Sequence, residues 1–297
     1  MKLKFSRVPN KYKNPFIING LKGDILIAKS AKQQNILYVG NLVTGFGLSW
    51  RLINYLQSFG TVTSIDLPGI GGMDSFQSID KKISLNNYAD FLVSVIKSRY
   101  KNKKFIIFAD GFGLVLITKL LLKYPKISSQ IKIIICINGI LSGDLYNKPS
   151  FSSNIYGNYF QMKKMFINQS THSSFNKIYR LYPYYNLDIN DPALNLYKSD
   201  KKYIKRYIES NDFYTNLLIN KQLANLDLNG RIENVQLWNI QLKNSSIDIL
   251  KTDESIRNIY SKYNKSSPKL NMIDIIFDTN ISISNLFTLR LRKKLSK

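Results

Sequence analysis

The sequence is poor in histidine and cysteine, and this scarcity excludes whole classes of site. In 297 residues there is one histidine, His172, and one cysteine, Cys136. A zinc site draws several ligands from these two residue types, so a zinc-binding fold is excluded. A lone cysteine forms no internal disulfide, which is typical of a reducing compartment. Because Cys136 lies within the apolar run IIICINGI, we expect it to be a small core residue.

Long apolar runs are also missing. No stretch approaches the length that crosses a bilayer, and the basic start MKLKFSRVPNKYKNPF contains no apolar signal segment. The chain length and the 44% of hydrophobic residues are nevertheless sufficient for a sizeable core. We therefore expect a soluble, intracellular protein, either cytoplasmic or, if the source is a large DNA virus, carried in the virion.

Acidic residues are few: the chain has 19 Asp and Glu but 43 Lys and Arg. Its net charge is therefore +24. A strongly basic surface attracts nucleic acids and anionic membranes. An AT-rich genome is the simpler explanation, since Lys, Asn, Ile and Tyr are abundant and Lys largely replaces Arg. We favour the genomic explanation and keep polyanion binding as an alternative. The final segment LRLRKKLSK carries a modest concentration of charge at Arg290, Arg292, Lys293 and Lys294.

Short apolar runs alternate with amphipathic segments over the first half of the chain. A hairpin is predicted from Phe16 to Ala28, around an Asn-Gly turn. The predicted strands NILYVG, TVTSID, KFIIFAD and IKIIICING then alternate with the helices SWRLINYLQSFG, SLNNYADFLVSVIKSRY and GLVLITKLLLKYP, with Ser84 as an N-cap. Strands that are continuous apolar runs and alternate with helices predict a parallel sheet covered on both faces.

The composition changes after residue 143. The Tyr-rich segments YFQMKKMFINQ and DKKYIKRYIESNDFYTNLLINKQLANL predict an inserted helical lid. The runs NVQLWNI and NMIDIIFD return to the strand pattern, and we expect the second to be the last strand. The predicted fold is α/β, a doubly wound, mostly parallel sheet with an N-terminal antiparallel hairpin. Residues 1–144 and 231–297 would form its core, and residues 145–230 a helical cap.

Several segments, in this order, resemble the α/β-hydrolase superfamily. The turn SIDLPGIGGMDS is similar to the family's D-x-P-G-x-G-x-S pattern at Asp66, Pro68, Gly69 and Gly71. The segment FADGFGLVLITKLLLKYP has the shape of the family's nucleophile elbow, and IKIIICINGI that of the strand after it. The resemblance covers residues 16–143 and is faint towards the end of the chain. It implies an α/β-hydrolase-like core.

The elbow lacks the side chain that the family's chemistry requires. In the family, Ser, Asp or Cys occupies the centre of a small-x-nucleophile-x-small turn. Alignment of the small residues places Gly111 at that position, and glycine has no side chain that attacks a substrate. Asp110 is a poor nucleophile candidate because phenylalanine stands two positions before and after it, so we expect it to cap the next helix. The degenerate elbow comprises Ala109, Asp110, Gly111, Phe112 and Gly113.

The other two members of a catalytic triad also have no counterpart at the expected positions. After NVQLWNI, Asn244 stands near the place of the family's acid, and Asp248 is the nearby carboxylate. After NMIDIIFD, the segment TNISISN offers no histidine. His172 lies in the predicted lid, where we expect a solvated residue.

Two glycine-rich loops resemble phosphate sites but lack their requirements. GNLVTGFG has Walker A spacing, but Phe46 replaces the phosphate-binding lysine. GIGGMD does not open directly into a helix, as a dinucleotide-binding loop does. We interpret both as tight turns of the hydrolase-like sheet. In the first of them, Asn41 and Leu42 follow Gly40, and the amides of Leu42 and Phe112 are candidates for an oxyanion hole.

These observations predict a catalytically inactive α/β-hydrolase homologue that acts as a binding, scaffold or structural protein. We expect no cofactor and no metal. The partner is undetermined: a small apolar ligand, another protein and a polyanion are all compatible with the sequence. The alternatives are an active hydrolase with relocated catalytic residues, such as His172 with Asp110 or Asp66, and a basic packaging protein. The candidate binding residues are Asn41, Leu42, Asp110, Phe112 and His172.

Overall fold

A computed structural model describes residues 4–42, 45–143, 197–242, 249–270, 272–278 and 281–296. The strands are β1 (Lys4–Phe5), β2 (Lys13–Ile18), β3 (Leu21–Ala28), β4 (Asn35–Val39), β5 (Thr61–Ile65), β6 (Phe105–Asp110), β7 (Ile131–Ile137), β8 (Ile232–Ile240), β9 (Tyr260–Ser266) and β10 (Phe277–Asp278). The α-helices are α1 (Gly45–Leu48), α2 (Trp50–Leu56), α3 (Leu85–Tyr100), α4 (Phe112–Lys123), α5 (Lys198–Glu209), α6 (Phe213–Ala224), α7 (Ile249–Ile259), α8 (Met272–Ile276) and α9 (Leu289–Leu295).

In the described part of the chain, strands β2 to β9 form one eight-stranded sheet in the order β2-β3-β5-β4-β6-β7-β8-β9. Strand β3 pairs antiparallel with both β2 and β5, whereas every later pairing in the sheet is parallel. Helices connect the parallel strands and cover both faces of the sheet. The prediction of a doubly wound, mostly parallel sheet with an antiparallel hairpin at its start is confirmed.

The N-terminal hairpin turns at Asn19 and Gly20, between the paired residues Ile18 and Leu21. Both turn residues have positive φ, 52° at Asn19 and 84° at Gly20. Two-residue hairpins favour this conformation because it matches the twist of the strands, and Asn-Gly adopts it at little cost. The sequence therefore determines this turn locally.

Helix α3 confirms the predicted capping and amphipathic pattern. The Ser84 hydroxyl accepts a hydrogen bond from the amide of Asn87 at 3.2 Å. The helix buries the predicted face, which contains Leu85, Tyr88, Leu92 and Val95. Helices α3 and α4 lie on one side of the sheet, whereas α1, α2 and α9 pack on the other. Neighbouring residues of a central strand, such as Ile107 and Phe108, therefore enter opposite cores.

The prediction that NMIDIIFD forms the last strand is wrong. Residues 272–276 are the short helix α8, and Phe277–Asp278 pairs with β1 in a separate two-stranded sheet. The last strand of the main sheet is β9, whose sequence YSKYNKS is largely polar. Strand β9 lies at the edge of the sheet, where a strand pairs on one side only. Because it carries no continuous apolar run, its sequence does not predict a strand.

The predicted lid falls only partly within the described residues. Helices α5 and α6, which we call the cap helices, lie between β7 and β8 in the chain. Residues 210–212 separate them, and the carboxylate of Asp212 caps α6 by accepting from the amides of Tyr214 and Thr215, both at 3.2 Å. The segment YFQMKKMFINQ and His172 lie outside the described residues. None of the described helices is sufficiently long and apolar to span a membrane.

Cys136 lies in the centre of the sheet, on β7, and is completely buried. Burial, assisted by the nearby Asp110, raises the pKa of its thiol well above the usual value. The reactive thiolate is therefore disfavoured as well as inaccessible. We expect a thiol reagent such as iodoacetamide to leave native protein unmodified at pH 8 and to modify Cys136 fully in guanidinium chloride. Rapid modification of the native protein would contradict this placement.

Candidate functional site

The turn between β6 and α4 has the backbone shape of a nucleophile elbow. Gly111 is the single residue between the strand and the helix, with φ 48° and ψ −103°. Side chains rarely tolerate this conformation, and residues held in it cost about 1–3 kcal/mol. The Gly111 amide donates to the carbonyl of Ile137 at 2.9 Å, which ties the turn to β7. The turn thus requires a positive φ at residue 111, which glycine adopts at little cost.

The side chain of Asn41 occupies the space in front of Gly111. A Cβ atom placed on Gly111 would lie 2.8 Å from Nδ2 of Asn41. Asn41 follows β4, the neighbour of β6 in the sheet, and it is 4% exposed. Its Oδ1 accepts the amide of Leu42 at 2.5 Å. This amide is therefore engaged within its own loop, which is contrary to the expectation that it contributes to an oxyanion hole.

The small residue that ends the elbow has a packing role. A Cβ on Gly113 would lie 2.5 Å from the carbonyl oxygen of Val39, so α4 approaches β4 as closely as glycine permits. Phe112, at the first turn of α4, is buried and packs edge-to-face against Tyr88, with ring centroids 6.2 Å apart. Its side chain contributes to the core. The structure therefore brings Asn41, Leu42 and Phe112 together around Gly111.

Asp110 lies one residue before the N-cap of helix α4, and its capping role stays a prediction. It is the last residue of β6, and the N-cap is Gly111, which has no side-chain capping bond. Asp110 is 5% exposed and lies on the same side of its strand as Phe108, which stacks on Tyr38. Burial, and then the charge of Asp110, raise the pKa of the Tyr38 hydroxyl well above its usual value. Asp110 thus belongs to a buried polar group behind the elbow.

Carboxamide side chains connect the ends of β7 and β8. Asn138 accepts the amide of Leu242 on Oδ1 at 2.9 Å. Asn239 is completely buried, and its Oδ1 accepts the amide of Gly139 at 3.0 Å. These bonds satisfy backbone groups where the sheet ends. Neither residue can be predicted from the sequence, since an asparagine next to a strand carries no motif. Asn244 and Asp248, near the position of the family's acid, lie outside the described residues.

A second buried polar group lies at the end of β5, which is separated by β4 from β6, the strand that leads into the turn at Gly111. The carboxylate of Asp66 is 2% exposed and accepts the amide of Phe46 at 2.9 Å. The hydroxyl of Tyr207, from cap helix α5, donates to the two carboxylate oxygens at 3.0 and 3.1 Å. Burial raises the pKa of Asp66 to about 7, although these two hydrogen bonds lower it. The pair thus joins the cap helices to the core.

The glycines of the two glycine-rich loops, residues 40–47 and 69–74, make room for the Asp66–Tyr207 pair. A Cβ on Gly47 would overlap the ring of Tyr207, and one on Gly45 or Gly71 would overlap both Asp66 and the Tyr207 hydroxyl. The Gly47 amide also donates to the Tyr207 hydroxyl at 3.3 Å. The loops are therefore glycine-rich because a cap side chain inserts between them. This role was invisible in the sequence, where the tyrosine is more than a hundred residues away.

Two further hydrogen bonds connect the cap helices to the core beside the Asp66–Tyr207 pair. The Asp212 amide donates to the carbonyl of Gly69 at 2.7 Å, and the Gly71 amide donates to Oδ1 of Asn211 at 2.7 Å. Both partners lie between α5 and α6, so the turn between the cap helices rests on residues 69–71. Thr215 packs so closely on Gly69 that a Cβ there would lie 2.7 Å from its Oγ1.

Solved structures share the overall fold of this chain. A hydrolase from Pseudomonas aeruginosa PA01 superposes with a TM-score of 0.62 at 9% identity, over 87% of this chain and 90% of that one. An epoxide hydrolase from Bacillus megaterium gives 0.61 at 12% identity, over 86% and 91%. A thermophilic esterase from Thermogutta terrifontis gives 0.56 at 10% identity, over 86% and 89%. The chain has the α/β-hydrolase fold.

At such low identity the likeness establishes the fold alone. No protein-family model matches the sequence. No curated protein matches it either. In the α/β-hydrolase fold the triad histidine follows the last strand of the sheet, here β9. The segment after β9, residues 267–270, reads SPKL, so the position differs from that expected and still carries no histidine. Among the residues that the structure describes, no three His, Cys, Asp or Glu side chains cluster as metal ligands.

Proposed function

We propose that this protein is a catalytically inactive α/β-hydrolase homologue that acts by binding. The observation that carries the proposal is the elbow: Gly111 adopts the strained conformation without a side chain, and Asn41 fills the space in front of it. A hydrolase of this fold presents its nucleophile there. Occupation of that space by a hydrogen-bonded amide supports loss of the acylation step.

The carboxylates near the elbow support the same proposal. Asp66 and Asp110 were the acids suggested for relocated chemistry with His172. Asp66 is covered by Tyr207 and already accepts the Phe46 amide, and Asp110 is buried behind the elbow. A general acid or base must reach its substrate within hydrogen-bonding distance. Asp66 does not meet this condition while Tyr207 covers it, and the burial of Asp110 is unfavourable for such contact, so the relocated enzyme is the less favoured alternative.

The type of partner follows from the same packing. The side chains of Asn41 and Phe112 are buried at the elbow, which disfavours a small apolar ligand in this position. The outer surface, with its large positive charge, remains for a protein partner or a polyanion. We accordingly propose a scaffold role, with residues 1–144 and 231–297 as the core and residues 145–230 as the cap.

The basic end of the chain is partly committed to internal contacts. In helix α9, Arg292 donates to the carbonyls of Phe287 and Ser284 at 3.0 and 2.6 Å, and Lys294 donates to the side chain of Gln236. Charge reversal at these two positions would therefore disturb the fold as well as any polyanion contact. Lys293 is exposed, and it is the cleaner position for testing polyanion binding at this helix.

The proposal is tested by activity-based labelling. We expect a fluorophosphonate probe to label the wild-type protein no more than heat-denatured protein, and p-nitrophenyl ester hydrolysis to equal the rate without protein. A serine esterase serves as the positive control. The His172→Ala variant separates the alternatives: labelling or turnover in the wild-type protein that this variant abolishes would establish relocated catalysis and refute the inactive homologue.

A further inference from the structure

The cap helices are fixed to the core at a point where a carboxylate is buried without a cation. Asp66 forms no ion pair within the described residues. The titratable groups that face it are Tyr207 and Tyr203 on α5, Lys13 on β2 and Asp24 on β3. Lys13 favours the ionised carboxylate and Asp24 disfavours it, and neither contacts it as a hydrogen-bonding partner. The ionised form of Asp66 therefore depends mainly on the Phe46 amide and the Tyr207 hydroxyl.

We propose that Asp66 and Tyr207 form a pH-sensitive latch, which holds the cap helices on the core while Asp66 is protonated and weakens as Asp66 ionises. Opening of α5 would remove the phenol ring that covers the carboxylate and expose Asp66 to water. Water stabilises the ionised carboxylate better than the buried site does. Ionisation consequently favours the open arrangement. This inference is independent of whether the elbow is inactive.

The direction and range of the pH effect follow from linkage. In the open state Asp66 regains an ordinary carboxyl pKa near 4, whereas in the closed state its pKa is about 7. The closed state thus holds the proton more tightly, and it is favoured most below about pH 4. Between pH 4 and 7 the equilibrium constant for opening rises by as much as about tenfold per pH unit, and above pH 7 it levels off.

The latch is positioned to control both cap helices. Tyr207 lies in the last turn of α5. After it, the Asp212 amide donates to the carbonyl of Gly69, and the Asn211 side chain accepts from the Gly71 amide. Because residues 211 and 212 follow Tyr207 closely in the chain, displacement of Tyr207 from between Gly45, Gly47 and Gly71 would also disturb their contacts. The segment that responds to ionisation should therefore run from α5 into α6, and α3 and α4 should stay protected.

Hydrogen exchange with mass spectrometry tests the latch on the full-length protein. Protection factors, corrected for the pH dependence of intrinsic exchange, are measured between pH 5 and 8.5 for peptides from residues 197–224 and from α3. In the wild-type protein we expect the protection of residues 197–224 to fall by at least about tenfold between pH 5 and 7 and then to level off. Peptides from α3 should show no such fall.

Three variants separate the latch from a general loss of stability. Asp66→Asn keeps the shape without the titration and should make the protection of residues 197–224 independent of pH. Tyr207→Phe keeps the ring but removes a hydrogen bond that favours the ionised form, so the plateau should move to higher pH. Tyr203 lies one helical turn before Tyr207, and its hydroxyl makes no hydrogen bond to Asp66. Tyr203→Phe should therefore leave the plateau unchanged.

The proposal is overturned by any of three results. The first is protection of residues 197–224 in the wild-type protein that does not change between pH 5 and 7. The second is the same pH dependence in Asp66→Asn, or, if that variant does not fold, an unshifted plateau in Tyr207→Phe. The third is parallel loss of protection in α3, which would indicate unfolding of the whole molecule.

Discussion

Replacement of Gly111 by serine is expected to lower the free energy of unfolding by about 2–6 kcal/mol and to produce no esterase. The backbone contribution is about 1–3 kcal/mol, because a side chain is forced into φ 48° and ψ −103°. The steric contribution arises because the new Cβ would lie 2.8 Å from Nδ2 of Asn41, and overpacking of this kind costs about 1–3 kcal/mol. No activity is expected, because the residues that the structure describes include no histidine to act as a base for the serine.

Urea unfolding measures this effect, and Gly72 provides a matched control. Gly72 also has positive φ, 93°, but a Cβ there would meet no atom within 4 Å. Gly72→Ser should therefore show a backbone cost without the steric one. Addition of Asn41→Ala to Gly111→Ser should recover part of the lost stability. Equal costs at both glycines and no recovery would show that Asn41 does not occupy the nucleophile position.

Replacement of Gly47 by alanine is expected to destabilise the protein by about 2–4 kcal/mol, although alanine is the better helix former. The added Cβ would overlap the ring of Tyr207, whose hydroxyl is held by Asp66 and by the Gly47 amide. Displacement of the ring takes the Tyr207 hydroxyl away from the buried Asp66 side chain, which keeps the Phe46 amide, and a buried polar group left unsatisfied costs about 1–3 kcal/mol.

The sign of this effect should reverse once the ring is removed. In a Tyr207→Ala background, Gly47→Ala removes a flexible glycine from helix α1 and should stabilise the protein by up to about 1 kcal/mol. Comparison of urea unfolding for the wild-type protein, the two single variants and the double variant measures the coupling. Additive effects would contradict the close packing of Tyr207 against Gly47.

Much of the fold could be predicted from the sequence because its signals are local. The Asn-Gly turn, the cap at Ser84 and the apolar runs of the central strands each specify their element without help from distant residues. The edge strand β9 and the helix α8 could not be predicted in this way. An edge strand is paired on one side only, and its polar pattern YSKYNKS acquires strand structure from pairing with β8.

In the candidate site, too, the features that depend on neighbouring residues could be predicted and those that depend on distant residues could not. The elbow at Gly111 could be identified because a strand, a tight turn and a helix are contiguous in the chain. The sequence also offers Asn41 as a candidate, but not its contact with Gly111. That contact, and the bonds by which Asn138 and Asn239 connect the strand ends, could not be predicted, since each involves a residue that is distant in sequence or on another strand.

By itself the sequence determined an α/β sheet with a glycine at the turn between β6 and α4, because helix caps, turns and strand hydrophobicity depend on near neighbours. Only the tertiary structure decided why two loops are rich in glycine and where Asp66 is buried. Both depend on Tyr207, which approaches the loops from more than a hundred residues away and inserts its ring between them. Contacts at that separation form only after the chain has folded, so no local pattern encodes them.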